Sequence, residues 1–231
     1  MENKDIQAIE AEFNQKQINH IFHYTNNFEI LKKILRSGFA PSYCEETIDK
    51  KEYFIPMVSF CNIPLREVDS YMKYGQYGIG MSMEWALENS ISPVIYVHEN
   101  TPFLKELNPS ISNFQFLKNW RTNYKGKDII TYQEREWRFI PLLKSKKKVI
   151  QVKDIEFKIY KNKERKKPHL PEYSLNIKQL KYIRYIIINS EKRRNPIVQI
   201  LNKKFGEKEV INAILSGNLI IINSELIRND F

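Results

Sequence analysis

Residues 18–38 read Ile18-Asn19-His20-Ile21-Phe22-His23-Tyr24-Thr25-Asn26-Asn27-Phe28-Glu29-Ile30-Leu31-Lys32-Lys33-Ile34-Leu35-Arg36-Ser37-Gly38. Residues 18–24 are rich in β-branched and aromatic side chains and predict a first strand ending in His23-Tyr24. Thr25, Asn26 or Asn27 then offers a cap oxygen to a helix. Phe28, Leu31, Ile34 and Leu35 share one face of that helix, and Gly38 stops it. The unit brings a strand-end histidine close to the positive end of a helix. About a hundred residues later stands Gln133-Glu134-Arg135-Glu136-Trp137-Arg138. A histidine at the end of an early strand and a glutamate on a later one form a two-point constellation. That pairing suggests NAD chemistry without a Rossmann fold.

Working outward, residues 5–17 predict a short amphipathic helix through Ile6, Ile9 and Phe13. Residues 41–54 read as a loop, and Ile55 to Phe60 as a strand closed by Asn62-Ile63-Pro64. A short helix is expected over 65–73, then a turn-rich loop, Tyr74-Gly75-Gln76-Tyr77-Gly78. Strands are expected at 79–83 and 93–97, around a helix near 83–89. Residues 103–122 predict a helix with Phe114, Leu117 and Trp120 on one side. The segment 129–143 holds the glutamate-bearing strand, and 149–160 another. Residues 161–172 form a basic, proline-containing linker. Ile183 to Asn189 predicts a buried strand, 195–205 and 207–216 helices, and 219–222 a last strand. Short strands and helices are interleaved without a regular βαβ series, which gives an α+β class. One domain spans 1–231.

Composition narrows the functional classes. The chain has 231 residues, 42% of them hydrophobic and 13% aromatic, which argues against disorder. A net charge of +10 points to a polyanionic partner, or to a lysine-rich solvated surface. The basic clusters 144–148, 161–167 and 192–194 could follow a nucleic-acid backbone, though charge runs in turns are commonly just solvated. The two cysteines, Cys44 and Cys61, fit a reduced, cytoplasmic protein rather than a disulfide framework. The polar first residues do not read as a signal peptide, and no apolar run is long enough to span a bilayer. Gly75-Gln76-Tyr77-Gly78-Ile79-Gly80 departs from the dinucleotide fingerprint and precedes a strand rather than a helix. No Walker A motif is present, and the cysteine and histidine spacing does not fit a zinc site, so no metal is expected. A nucleophilic pair of Cys61 and His23 has no local support.

On a continuous strand, Glu134, Glu136 and Arg138 would share one face. Two carboxylates there repel each other, and Arg138 is placed to hold one of them as an anion. A fixed carboxylate suits a developing ribosyl cation; a solvated Glu/Arg ladder is the plainer alternative. His23 could donate to a ribose hydroxyl or serve only as a structural hydrogen-bonder. Tyr24 and Thr25 add hydroxyls beside it. Ser59 and Cys61 share a strand face, with Phe60 on the other. Tyr74 and Tyr77 could stack on a nicotinamide or adenine ring, or fill the core.

The series Phe22-His23-Tyr24-Thr25, Pro56-Met57-Val58-Ser59-Phe60-Cys61-Asn62-Ile63-Pro64-Leu65, Tyr74 to Gly80, Glu84-Trp85, Pro93 to Val97 and Glu134 to Arg138 resembles the AbiGi-type abortive phage resistance family. The resemblance runs from about residue 20 to the C-terminus. It implies the antitoxin half of a two-gene phage-exclusion system whose partner toxin resembles a nucleotidyltransferase. A more distant resemblance is to ADP-ribosyltransferase domains of the DarT kind. That one implies a split, mostly antiparallel sheet with flanking helices and NAD as co-substrate. By the same resemblance His23 holds a ribose, Glu136 is the catalytic glutamate and Glu134 the upstream member of a Glu-x-Glu pair. Ser59 and Phe60 then support the nicotinamide end, Tyr24 and Thr25 flank the ribose, and Tyr77 stacks on a ring. Tyr24 stands where many such enzymes have glycine. Three readings follow: an NAD-dependent ADP-ribosyltransferase modifying nucleic acid or protein in phage defence, a non-catalytic antitoxin or sensor that holds a cognate protein, and a nucleic-acid-binding module.

Overall fold

The computed structural model describes residues 18–48, 51–67, 74–106, 112–124, 126–143, 150–151 and 169–230. The helix expected within 1–17, the basic clusters 144–148 and 161–167, and most of the 149–160 strand and the 161–172 linker lie outside them.

The opening unit forms as its sequence dictates. Strand β1 (His20–Thr25) leads into helix α1 (Phe28–Ser37). Of the three candidate caps Asn27 is used, its side-chain oxygen accepting from the Glu29 amide at 2.8 Å. Phe28, Leu31, Ile34 and Leu35 are buried, and Gly38 ends the helix at φ 82°. A Cβ on Gly38 would come within 2.1 Å of the Leu175 carbonyl oxygen, so position 38 must be glycine for a second reason.

The remaining strands are β2 (Ser42–Ile48), β3 (Lys51–Cys61), β4 (Tyr77–Ser82), β5 (Ser92–Pro93), β6 (Ile95–Val97), β7 (Leu117–Asn119), β8 (Arg121–Tyr124), β9 (Lys127–Ile130), β10 (Glu136–Phe139), β11 (Ile150–Gln151), β12 (Ile183–Ile188) and β13 (Ile220–Asn223). The main sheet runs β13-β12-β4-β1-β3-β10-β5, with β2 and β11 also paired to β3. Every pairing in it is antiparallel except β12 with β13. β6–β7 and β8–β9 are separate two-stranded sheets. Helices α2 (Met83–Glu88), α3 (Pro102–Glu106), α4 (Arg194–Phe205), α5 (Glu207–Leu215) and α6 (Ser224–Asp230) complete the α+β arrangement.

Three expectations are corrected. Residues 41–54 are not a loop but the β2–β3 hairpin, in which Ser42 to Ile48 pair with Met57 back to Lys51. The mixed polarity of Glu45-Glu46-Thr47 hid that strand. Residues 103–122 do not form one helix. Pro109 interrupts the helical pattern, and Leu117–Asn119 pair in parallel with β6. The glutamate segment is not one strand: Thr131–Glu134 is a 3₁₀ turn and Arg135 has φ 44°, so β10 begins only at Glu136. Of the short helix expected over 65–73, a 3₁₀ turn at Leu65–Glu67 is described.

The two faces of the main sheet differ in chemistry. Ile21, Val58, Phe60, Ile79 and Met81 point to one face, under α1 and Trp85, and form the large apolar core. Burying each such side chain contributes about 1.5–3 kcal/mol. The residues that alternate with them on β1, β3 and β10 point to the other face: Phe22 and Tyr24, Ser59 and Cys61, Glu136 and Arg138.

Candidate functional site

On that second face β1 and β3 share a single register pair, Phe22 with Cys61. Beyond it the two strands diverge. A cavity of about 330 Å3 lies at the divergence, walled by Tyr24, Ser59, Cys61, Tyr74, Lys118 and Glu136 among others. A second cavity of about 360 Å3 adjoins it, and the two share Glu46, Tyr74, Lys118 and Glu134.

The floor is a buried ionic cluster. Arg138 is fully buried. Its Nε donates to Glu136 Oε1 at 2.8 Å, and one terminal nitrogen donates to Glu46 at 2.7 Å. The other donates to the carbonyls of Gln115 and Leu117 at 2.9 and 3.3 Å. Lys118 Nζ lies 2.6 Å from Glu136 Oε2, 3.6 Å from Glu134 and 3.8 Å from Glu46. The Tyr74 hydroxyl donates to Glu134, and the Glu136 amide donates to the Tyr96 hydroxyl at 2.7 Å. Three carboxylates thus face two cations, a small surplus of negative charge.

This arrangement sets the protonation states. Burial pushes the Glu136 carboxyl up, but Arg138 and Lys118 pull it down further, to about 2. Burial raises the Glu46 carboxyl above its ordinary range, and the same two cations only partly offset that. Burial opposes the charge on Lys118 and Arg138, yet the carboxylates around them raise both above their ordinary values. Burial also raises the Tyr74 phenol, helped by the hydrogen bond to Glu134.

The structure sorts the sequence-predicted residues. Tyr24, Ser59, Glu134 and Glu136 share one cavity wall. His23 borders that cavity, but its ring is turned to the opposite face, 5.4 Å from Phe39 and 5.7 Å from Phe60. Its Nδ1 donates to the Ser59 carbonyl at 2.9 Å. A carbonyl only accepts, so Nδ1 carries the proton, and burial lowers the imidazole pKa and keeps it neutral. Phe60 and Tyr77 are core residues, Tyr77 packing 5.5 Å from Phe28. Thr25 accepts from the Asn27 amide at the helix entry, away from the wall. Glu134 reaches the cluster from the 3₁₀ turn rather than from the strand. The sequence reading's pairing of Arg138 with Glu136 is observed, its pairing with Glu134 is not, and it missed Glu46 and Lys118. Those two come from segments read as loop and helix, so neither had a face to be assigned to.

The arrangement holds Glu136 as an anion but occupies it. Both carboxylate oxygens already accept charge-assisted hydrogen bonds. Both Glu136 oxygens are thus engaged and the His23 ring faces away, so a ribose hydroxyl at this cavity would share Glu136 with Arg138 and Lys118. Among the described residues no group of His, Cys, Asp and Glu is arranged to hold a metal ion, and no helix is long and apolar enough to cross a membrane.

Comparison with known proteins gives two matches. Residues 37–124 match the family model described as "Putative abortive phage resistance protein AbiGi, antitoxin". The span takes in Glu46, Ser59, Tyr74 and Lys118 but not His23, Glu134 or Glu136. The chain is also 23% identical to the abortive phage resistance protein AbiGi of Lactococcus lactis subsp. cremoris, over 83% of this chain and 90% of that protein. No solved structure matches. The chain is therefore similar to the AbiGi-type abortive phage resistance proteins.

Proposed function

We propose that this chain is the non-catalytic antitoxin or sensor half of a two-gene abortive infection system, acting by holding a cognate toxin protein. The likeness of residues 37–124 to a family described as an antitoxin supports this. The observation that carries it is the saturation of Glu136 by Arg138 and Lys118. A carboxylate whose oxygens are already held by two cations stabilises a new positive charge less well, because much of its field is spent locally. The test is co-expression with the product of the neighbouring gene. Growth should be rescued from that product's toxicity, the two chains should co-elute, and Glu136→Gln should leave both intact. Turnover of NAD by the purified chain, lost in a folded Glu136→Gln, would overturn the proposal.

A second reading, an NAD-dependent ADP-ribosyltransferase on a split-sheet fold, is favoured by the convergence of Tyr24, Ser59, Glu134 and Glu136 on one cavity. It requires a ribose hydroxyl to share Glu136 with Arg138 and Lys118. Titration calorimetry with NAD distinguishes the two. Heat that disappears in a folded Tyr24→Trp variant, which fills the cavity, supports the enzyme reading, and no heat at millimolar NAD removes it.

A further inference from the structure

The cavity of about 360 Å3 is walled by β2, by β7 and by the 3₁₀ turn at Thr131–Glu134. Its charged lining is lopsided: Glu45, Glu46 and Glu134 against Lys118. Lys118 is already held by Glu136, 2.6 Å away. Two acceptors in that lining are unmet. Glu46 offers Oε1 to Arg138 at 2.7 Å and, more distantly, to Lys118 at 3.8 Å. Its Oε2 meets no donor among the described residues, although only 15% of the side chain is exposed. Asn119 is 8% exposed, and its side-chain oxygen is buried with no hydrogen-bond partner among the described residues. The backbone that carries Asn119 is fixed. It pairs with Val97, its carbonyl accepts from the Thr131 hydroxyl, and the next carbonyl, of Trp120, accepts from the Thr131 amide at 2.9 Å. Buried acceptors are costly to leave unmade, so two in one cavity point to a molecule that supplies donors.

We propose that this cavity binds a small organic monocation with N–H donors, an alkylammonium or alkylguanidinium, which donates to Glu46 Oε2 and to the Asn119 side-chain oxygen. Other occupants fit less well. An anion would face the carboxylates with no unengaged cation to receive it. Water or a neutral ligand would satisfy the acceptors but leave the surplus negative charge. A metal ion would need a set of ligands that no His, Cys, Asp and Glu group provides among the described residues. Burial raises the Glu46 carboxyl because Arg138 and Lys118, both on its inner oxygen, only partly offset desolvation, and a cation on the outer oxygen would complete that balance. The Tyr74 ring and Ile129 offer apolar surface to the alkyl part. The same group reaches such a cavity either on a free metabolite or on an arginine or lysine side chain of a partner protein. The site stands whether or not Glu136 has a catalytic role, since neither acceptor belongs to it.

The test is a ligand-observed NMR titration of the full chain with ethylguanidinium and with butylammonium. Tetramethylammonium, which carries the charge without a donor, is titrated beside them. The first two should bind with affinities on the order of millimolar, and tetramethylammonium about tenfold more weakly. Glu46→Gln should weaken both by about tenfold and Asn119→Ala by about threefold, as expected for a charged and a neutral hydrogen bond. Glu207→Gln, which removes an exposed acid on α5, should change neither. Thermal melting confirms that each variant is folded, and Glu46→Gln alone decides if Asn119→Ala is not. A blocked tripeptide with a central arginine distinguishes the two sources: binding equal to ethylguanidinium supports a protein side chain, and weaker binding supports a free metabolite. Equal binding of tetramethylammonium would reduce the site to charge alone and overturn the proposal. So would an unchanged affinity in Glu46→Gln, or no binding of either donor cation.

Discussion

Arg138→Met tests the ionic cluster most severely. The guanidinium is fully buried and bonds two carboxylates and two carbonyls at 2.7–3.3 Å. Methionine matches much of its length but none of its charge. Removal leaves Glu46, Glu134 and Glu136 facing Lys118 alone. Taking one partner from a buried ion pair typically costs about 3–5 kcal/mol, because the remaining charge stays desolvated. In a chain of this length each kcal/mol lowers Tm by about 2–4 °C, so the melt should fall by roughly 10 °C. Urea unfolding followed by tryptophan fluorescence reads the free energy, and a thermal melt followed by far-UV circular dichroism reads Tm. The sharper arm is the triple variant Arg138→Met/Glu46→Gln/Glu136→Gln. With the stranded charges gone it should regain at least about 2 kcal/mol over Arg138→Met, since an ion cluster replaced as a set is far less costly than one broken. An Arg138→Met loss below about 1 kcal/mol, or a triple variant weaker than the single, would refute the account.

The remaining predictions concern acid and the backbone. Glu136 has its folded pKa depressed from 4.5 to about 2, so it contributes stability that is full above pH 4.5 and lost as pH falls through 2. At about 1.4 kcal/mol per pH unit that is about 3 kcal/mol, and Glu136→Gln should flatten the urea-midpoint curve between pH 5 and pH 2 accordingly. Glu46, with its pKa raised, acts in the opposite sense and in another window: it costs stability as pH rises from 4.5 through its raised folded pKa, and Glu46→Gln should remove that loss. An identical curve for both variants and wild type would remove the cluster from acid stability. Gly38→Ala should cost at least about 2 kcal/mol and clearly more than Gly126→Ala. Both glycines have positive φ, but only at Gly38 does a Cβ meet a neighbour. Equal losses would show that the Leu175 contact imposes nothing.

The opening unit was legible because local chemistry decides it. Alternation along 18–24, an asparagine before Phe28 and a glycine after Ser37 each fix one boundary, and β1 and α1 fall there. The β12 strand and the helices after it were legible for the same reason. The cluster was half legible. Arg138 sits two residues from Glu136 on a strand, so their meeting follows from a period of two. Glu46 and Lys118 lie 92 and 20 residues from Arg138 in sequence, and only the pairing of β2 with β3 and of β7 with β6 brings them in. His23 shows the converse limit. Its proximity to the cavity was foreseen, but its facing depends on a strand register that a single sequence does not specify.

The single register pair between β1 and β3 has a consequence for how such a protein changes over generations. Where two central strands stay bonded along their length, any ligand must perch on a rim, and each new specificity disturbs loops. Here the opening is made by the sheet itself, so side chains on Tyr24, Ser59 or Lys118 can be exchanged without removing one backbone hydrogen bond. The walls of the chamber can therefore be refitted for a different molecule while the sheet that frames it stays as it is.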